Sequence, residues 1–336
     1  MNNKLKNMKK SIFAVIAVVC VAALIFLAYR FAPTPKETQN PTPSGESQTQ
    51  TPLEVESGLP VEENVIQKSE IEGELSTEEP AEKPQGTGKS VIGKSVQGRD
   101  ITAYHFGGAS REILFVGGIH GGYAWNTAQL AYQLIDYLTA QPEQIPENLK
   151  ITVIPALNPD GLAKAVKVEN GPFSPADVSA ATDKSAARFN ANNVDLNRNF
   201  DCNWQARAVW QNKTVSAGTA PFSEPESAAI RDYVKDRNIV AAIAWYTSGG
   251  GVYSSTCGDS VSHRTRILTD AYAAAAGYAA HENFESYRVS GDMTDWFAKN
   301  NVPAIGVLLT AADNSEWEEK NLAGVKKVIS DFSAVQ

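Results

Sequence analysis

The stretch LFVGGIHGGYAWNTAQLAYQLIDYL, residues 114–138, is the part of the sequence that decides the fold. Its apolar beginning is typical of a buried strand, and residues 126–138 repeat apolar side chains at helical spacing. Between the two lies His120, flanked by glycines, where the strand ends and the helix begins. In layered α/β sheets ligands bind beyond the carboxyl ends of strands, so His120 is a candidate site residue.

The sequence after this stretch continues to alternate between strands and helices. Further strands are predicted in KITVIPALNPDG (150–161), NIVAAIAWYTSGGG (238–251) and VPAIGVLLT (302–310), and helices in SEPESAAIRDYVKDR (223–237), DMTDWFAKNN (292–301) and EWEEKNLAGVKKVISDF (316–332). Such alternation predicts one layered α/β domain, with a central sheet flanked by helices. We place this domain at residues 91–336.

The N-terminal region differs from the domain in composition. Residues 1–10 are rich in lysine, and residues 11–29, SIFAVIAVVCVAALIFLAY, carry no charge and are nearly long enough to cross a bilayer. We predict a transmembrane signal anchor with residues 1–10 in the cytoplasm and the rest of the chain outside the cell. A cleaved signal peptide is the alternative, although Tyr29 and Arg30 make a poor cleavage site.

Residues 32–90 predict a spacer between the membrane and the domain. They are rich in proline, threonine, serine and glutamate, and almost free of aromatic residues. A segment of this composition cannot bury enough apolar surface to offset the entropy of ordering its chain. We therefore expect a disordered linker that holds the domain away from the membrane.

The net charge of the chain bears on which class of partner it can bind. The formal net charge of −8 argues against a nucleic-acid partner, which would need a basic surface.

Cys20 lies in the apolar segment, so the domain holds only Cys202 and Cys257. An exported pair favours a disulfide bond, and two separate buried thiols are the alternative.

Several motifs, taken together and in order, give the domain a resemblance to a known family. They are GKSVQGRDI (93–101), GGIHGGYAWN (117–126), ALNPDG (156–161), RFNANNVDLNRNF (188–200) and YRVSGDMTDW (287–296). This set resembles the zinc carboxypeptidases, the carboxypeptidase A-like peptidases of family M14. The resemblance implies a mixed, mostly parallel sheet flanked by helices, a zinc cofactor, and hydrolysis at the C-termini of peptides.

The resemblance also assigns the positions of the metal ligands and the general base. His120 matches the first zinc ligand, whereas Ala124, or Tyr123 beside it, replaces the glutamate ligand. Tyr246 replaces the second histidine ligand. Leu308, or Leu309 with a one-residue shift, stands where the catalytic glutamate is expected. The chain therefore resembles a degenerate member of the family, and zinc binding by this chain is doubtful.

The substrate-binding positions of the family are present. Arg188, Asn197 and Arg198 match the side chains that bind the substrate's terminal carboxylate, and Tyr287 matches the tyrosine that closes over the substrate at the catalytic centre. The planar guanidinium of arginine can donate two parallel hydrogen bonds to one carboxylate. Asp295 is interpreted as a structural residue that orients its neighbours.

These observations lead to one functional hypothesis and two alternatives. The hypothesis is a membrane-anchored, extracellular carboxypeptidase-like domain that lacks hydrolysis and retains a pocket for peptide C-termini, either of proteins or of cell-wall stem peptides. The first alternative is an active zinc metallocarboxypeptidase whose ligands come from other residues. The second is a surface scaffold that binds no peptide.

Overall fold

The structure is a computed structural model that describes residues 88–168, 171–258 and 260–334. The predicted cytoplasmic segment 1–10, the membrane segment 11–29 and nearly all of the predicted linker lie outside these residues. Among the helices that the structure describes, none has both the length and the apolar character needed to span a membrane.

Ten strands form the β-structure of the described residues. They are β1 (Gly88–Lys94), β2 (Asp100–Phe106), β3 (Arg111–Val116), β4 (Lys150–Ile154), β5 (Arg207–Trp210), β6 (Lys213–Ser216), β7 (Asn238–Thr247), β8 (Gly251–Ser254), β9 (Ala280–His281) and β10 (Ala304–Leu309). Eight of them form one sheet in the order β1-β2-β4-β3-β7-β10-β8-β9, and β5 pairs with β6 as a separate hairpin. The sheet is mixed, with the four central strands parallel to one another.

Six α-helices of the described residues pack around this sheet. They are α1 (Trp125–Ala140), α2 (Pro159–Ala163), α3 (Pro225–Val234), α4 (His263–Ala276), α5 (Met293–Lys299) and α6 (Leu322–Ala334), the last preceded by a π-helical turn at Trp317–Asn321. The predicted α/β architecture, a mixed central sheet with flanking helices, is confirmed.

The central strand β7 shows how the two cores are separated. Successive side chains of a strand point to opposite faces, and β7 is buried on both. Ile243 and Trp245 belong to the core that α1, α4 and α6 cover, whereas Ala244 and Tyr246 belong to the core covered by α3 and α5. Tyr246 therefore lies on the α5 side of the sheet.

The N-terminal boundary of the domain differs from the prediction. Strand β1 begins at Gly88, three residues before the predicted start at Val91, so residues 88–90 belong to the sheet and not to the linker. Strand β1 is an exposed edge strand that pairs only with β2. Because it buries few side chains, its sequence lacks the apolar pattern of a strand and was not distinguished from the linker. The sequence prediction also missed the short hairpin formed by β5 and β6.

The two cysteines of the domain form the predicted disulfide bond, with their Cα atoms 5.7 Å apart. The bond joins the segment after Arg198 to the loop after β8. Gly291, just before α5, is held against the same segment, because its N–H donates to the Cys202 carbonyl over 2.7 Å. The disulfide thus connects two loops that flank the start of α5.

Replacing both cysteines of this bond by serine should lower the free energy of unfolding. The bond closes a loop with a sequence separation of 55 residues, for which the chain-entropy relation gives about 4 kcal/mol. Urea unfolding of Cys202→Ser/Cys257→Ser would measure the loss, with Cys20→Ser as the control. Equal unfolding midpoints for the double variant and the parent would contradict the expectation.

Candidate active site

A glycine-rich turn places His120 at the carboxyl end of β3. Gly118 and Gly121 have positive φ angles of +65° and +46°. A Cβ atom on Gly118 would lie 2.9 Å from the Cα of Ala156, and one on Gly121 would lie 2.7 Å from the carbonyl oxygen of Ala187. Only glycine fits these close approaches, and they bring His120 next to the turn that carries Arg188.

Tyr246 and Leu308 lie beside His120. The rings of His120 and Tyr246 are 5.5 Å apart between centroids, and Leu308 pairs with Tyr246 across the parallel strands β7 and β10. Ala124 lies in the same turn as His120 and is buried. The structure therefore brings together the four positions that the resemblance assigned to metal ligation and base catalysis.

Arg188 is held by a buried ion pair. Its Nε donates a hydrogen bond of 2.9 Å to Oδ2 of Asp195, and both side chains are almost completely buried. The guanidinium carbon also lies 4.5 Å from the ring centroid of Trp210 and 5.5 Å from that of Tyr123. Asp195 thus compensates the Arg188 charge, and the two rings fix the orientation of the side chain.

Arg198 is buried without a carboxylate in direct contact. Only 1% of the residue is exposed; its Nε donates to the Val209 carbonyl over 3.0 Å, and its Nη1 donates to the Asn197 carbonyl over 2.6 Å. Among the described residues, no carboxylate oxygen lies within 4.0 Å of its guanidinium nitrogens. The Tyr287 ring centroid lies 5.9 Å away. Arg198 is thus a buried cation whose neighbours are carbonyl oxygens and a ring.

The amide of Asn197 is engaged within the protein. Its Nδ2 donates to Oδ2 of Asp292 over 2.6 Å, and its Oδ1 accepts from the Met293 N–H over 3.1 Å. The Tyr246 hydroxyl also donates to Oδ1, over 3.4 Å. Asn197 therefore joins β7 to the beginning of α5, in addition to lining the cavity described below.

Burial and the neighbouring guanidinium groups determine the charge of His120. Burial first, and Arg188 second, hold its pKa well below the usual range, so the imidazole is neutral. Neither ring nitrogen has a hydrogen-bond partner among the described residues, and Nε2 lies 3.9 Å from Oδ1 of Asp195. Burial works to raise the pKa of Asp195, but Arg188 and Arg198 lower it to about 2.

Tyr246 cannot supply an anionic ligand at neutral pH. Burial raises the pKa of its phenol well above the ordinary value, and the carboxylates of Asp292 and Asp295 raise it further. The phenol is therefore a neutral hydrogen-bond donor.

The positions that the resemblance assigned to metal ligation, base catalysis and substrate binding, except Ala124, border one cavity of about 1020 Å³ at the carboxyl ends of the central strands. Its wall includes the predicted residues His120, Arg188, Asn197, Arg198, Tyr246, Tyr287 and Leu308. The volume matches the upper range of small-molecule and peptide-terminus sites. Positions scattered over 189 residues of sequence are thus gathered into a single site.

The residues in this cavity do not fit a catalytic zinc ion. Such an ion takes three protein ligands from histidine, cysteine or carboxylate side chains. His120 offers one neutral imidazole, but Ala124 and Leu308 offer no donor atom. Within the described ranges, no group of three histidine, cysteine, aspartate or glutamate side chains is placed to hold a metal ion.

Sequence reasoning missed the role of Asp292 and assigned Asp295 only a structural one. Both line the cavity, and Asp292 also caps α5 by accepting the Thr294 N–H over 2.7 Å. Asp295 accepts the Thr256 N–H over 3.0 Å. The sequence signal was the three-residue spacing of Asp292 and Asp295 at the start of a predicted helix, because residues three apart lie on the same helix face.

Comparison with known proteins agrees with this geometry. The family model described as zinc carboxypeptidase, peptidase M14, matches residues 77–316. The chain belongs to the zinc carboxypeptidase family. A solved structure of thrombin activatable fibrinolysis inhibitor shares the zinc carboxypeptidase fold of this chain, with a TM-score of 0.59 and 17% identity over 76% of this chain and 71% of that one.

Two curated relatives show how distant the similarity within the zinc carboxypeptidase family is. The chain is 25% identical to gamma-D-glutamyl-L-diamino acid endopeptidase 1 of Lysinibacillus sphaericus, over 64% of this chain and 58% of that protein. It is 28% identical to carboxypeptidase M of Mus musculus, over 49% of this chain and 36% of that protein. The chain thus spans less than two thirds of the length of either relative.

Asp295→Asn should change how stability depends on pH. Burial and the nearby Asp292 raise the pKa of Asp295 to about 8, from the ordinary value of 3.8. Because the folded state holds this proton more tightly than the unfolded state, the wild-type chain loses stability as the pH rises from about 4 to about 8. Asparagine does not titrate, so the variant should escape this loss.

Urea unfolding between pH 4 and pH 9 would measure the effect. The variant should gain stability relative to the wild type across this range, whereas the exposed Asp270→Asn control should follow the wild type. Parallel pH profiles for Asp295→Asn and the wild type would contradict the raised pKa.

Proposed function

We propose that this domain binds the C-terminal carboxylate of peptides and lacks the zinc-dependent hydrolysis of its family. The observation that carries the proposal is the environment of Arg198. A buried guanidinium without a carboxylate partner costs free energy, and an anion entering the cavity would compensate it. A peptide carboxylate has the charge and the planar geometry for that role.

The remaining side chains of the site support binding of a peptide terminus. Arg188 is already neutralised by Asp195, so it lines the site as a fixed, oriented group rather than a free charge. Tyr287 borders the cavity next to Arg198, where it can cover a bound carboxylate. The cavity is large enough for a terminal residue together with part of the preceding one.

The residues at the four metal and base positions support the loss of hydrolysis. An alanine, a neutral phenol and a leucine replace a glutamate, a histidine and a glutamate. Without a metal ion, two glutamates near His120 would be buried and would repel each other. The residues present avoid that cost. An active metallocarboxypeptidase would need ligands from elsewhere, and the carboxylate of Asp195, 3.9 Å from His120 Nε2, is already paired with Arg188.

The proposal includes a membrane-anchored, extracellular location. The uncharged segment 11–29 behind a lysine-rich N-terminus favours an anchor, and the disulfide between Cys202 and Cys257 suits an oxidising compartment. At that location, the candidate ligands are protein C-termini and cell-wall stem peptides. The name of the Lysinibacillus relative, a gamma-D-glutamyl-L-diamino acid endopeptidase, favours the cell-wall peptide.

Peptides with a free C-terminal carboxylate should bind, and the same peptides as C-terminal amides should bind about 10-fold to 100-fold more weakly. The reason is the loss of a charged hydrogen bond, which contributes about 1.5 to 3 kcal/mol. Isothermal titration calorimetry on the full chain would measure both affinities. Arg198→Lys should weaken binding of the free acids, and the exposed Arg264→Lys is the matched control.

Folding of each variant is checked by its thermal melting curve. If the wild-type chain binds the free-acid peptides and their C-terminal amides with equal affinity, the proposal is contradicted, whether or not the variants fold. Absence of binding for every peptide would favour the scaffold alternative.

Restoring three residues together should recover metal binding. Ala124→Glu/Tyr246→His/Leu308→Glu supplies two ligands beside His120 and a carboxylate at the base position, so the variant should retain about one zinc ion per chain after dialysis. Its melting temperature should fall without zinc and rise with it. Inductively coupled plasma mass spectrometry would measure the zinc content of the variant and of the wild type.

The three single reversions serve as controls, and none should release C-terminal amino acids from peptides. A folded triple variant without zinc would show that the site positions are wrong. Stoichiometric zinc in the wild-type chain, with release of C-terminal residues, would overturn the proposed loss of activity.

A further inference from the structure

A second cavity lies at the β1 edge of the sheet, on the face that helix α1 covers. It has a volume of about 370 Å³ and lies between β1, β2, α1 and the residues that follow β4. We call it the β1 groove. Its wall contains Tyr104 and Tyr132, an edge-to-face pair with ring centroids 6.5 Å apart, together with Pro155 and Pro159. The β1 groove shares no lining residue with the cavity that contains Arg198.

Apolar side chains stay exposed at the β1 groove. Val91 lines it with 54% of its surface exposed, the highest value for a large apolar residue in the described part of the chain. Ala163 and Val168 add half-buried apolar surface to the same wall. Contiguous apolar surface of this kind marks a place where another segment or molecule makes contact.

The chain that precedes β1 is the segment nearest to the groove. Strand β1 begins at Gly88, and residues 89–91 line the groove directly after it. Residues 76–87, STEEPAEKPQGT, lie outside the described residues. Twelve residues span up to about 40 Å, so they can reach any part of the groove, and Gly86 and Gly88 permit the chain to reverse. The family match begins at residue 77 and so includes nearly all of this segment.

The prolines of this segment suit the tyrosine and proline wall. Pro80 and Pro84 lie in the middle of residues 76–87. A proline-containing segment is already extended, so it loses little conformational entropy when it docks, and such segments bind grooves lined by aromatic rings. Tyr104 and Tyr132 provide that kind of lining.

Charge also favours this segment over an arbitrary one. Residues 76–87 carry three glutamates and one lysine. Lys89 lines the groove, and no carboxylate oxygen of the described residues lies within 4.0 Å of its ammonium nitrogen. An acidic segment in the groove would therefore meet a cation that has no ion-pair partner in the described part of the chain.

We propose that residues 76–87 dock into the β1 groove, with their prolines packed against Tyr104 and Tyr132. Docking covers Val91 and brings the acidic side chains of the segment towards Lys89. The predicted spacer then ends before Ser76, and the tether leaves the folded domain from the groove and not from Gly88. The direction in which the chain leaves the domain is thereby fixed.

Limited proteolysis of the full chain with a glutamate-specific protease tests this docking. Glu82 lies inside the segment and Glu74 lies just before it, so cleavage after Glu74 is an internal reference. A synthetic peptide of residues 70–88 supplies the intrinsic rates at both positions. Relative to the peptide, cleavage after Glu82 should be slowed at least about tenfold more than cleavage after Glu74, because proteolysis follows the undocked population.

A matched pair of variants assigns the protection to the groove. Val91→Glu puts a negative charge beside an acidic segment and removes apolar contact, so cleavage after Glu82 should approach the peptide rate. Ile267→Glu is the control, because Ile267 is also an exposed aliphatic residue, at 52%, and lies on α4. Cleavage after Glu82 at the peptide rate in the wild-type chain would overturn the proposal, whether or not the variants fold.

Photo-crosslinking identifies what occupies the groove. With p-benzoylphenylalanine in place of Val91, illumination of the full chain should join this position to residues 76–87 of the same chain, as read by mass spectrometry of the peptides. Crosslinked dimers would show a second copy in the groove and overturn the proposal. Crosslinks to any other segment, or none, would overturn it as well.

Discussion

The parallel pairing of β3, β7 and β10 is the constraint on which the site depends. Parallel strands end at the same edge of a sheet, so the residues that follow or terminate them must meet there. The register between β7 and β10 sets Leu308 opposite Tyr246, and the glycine turn after β3 brings His120 against Tyr246. The sheet of this chain thus presents these positions to one cavity.

Some charged side chains around that cavity form an ion pair, whereas others have no oppositely charged group in direct contact. Arg188 and Asp195 neutralise each other as a buried pair, and burial together with the Arg188 charge keeps the pKa of His120 low, so that its imidazole is neutral. Arg198, by contrast, faces the cavity without a carboxylate in direct contact, and Asp295 faces it without a cation. Because burying an unpaired charge is costly, Arg198 is the group that a ligand can stabilise.

The sequence predicted the architecture well where periodicity and motif order are informative. Strand β7 and helix α1 were recognised from their apolar patterns, and the single pair of domain cysteines predicted the disulfide. Other features depend on tertiary contacts that no local pattern reveals. The predicted start of the domain lies three residues after the start of β1, because residues 88–90 resemble the linker in composition. Only the structure shows that Asp295 lines the cavity. The partner of Arg188 likewise appears only in three dimensions.

The central claim is that the cavity recognises a peptide carboxylate through Arg198 in the absence of a metal ion. X-ray diffraction from crystals grown with zinc and a peptide that has a free C-terminal carboxylate, measured at the zinc absorption edge, tests it most directly. The account predicts density for the terminal carboxylate in contact with the Arg198 guanidinium and no anomalous peak next to the His120 imidazole. A zinc peak bonded to His120, or a peptide whose carboxylate lies away from Arg198, would contradict it.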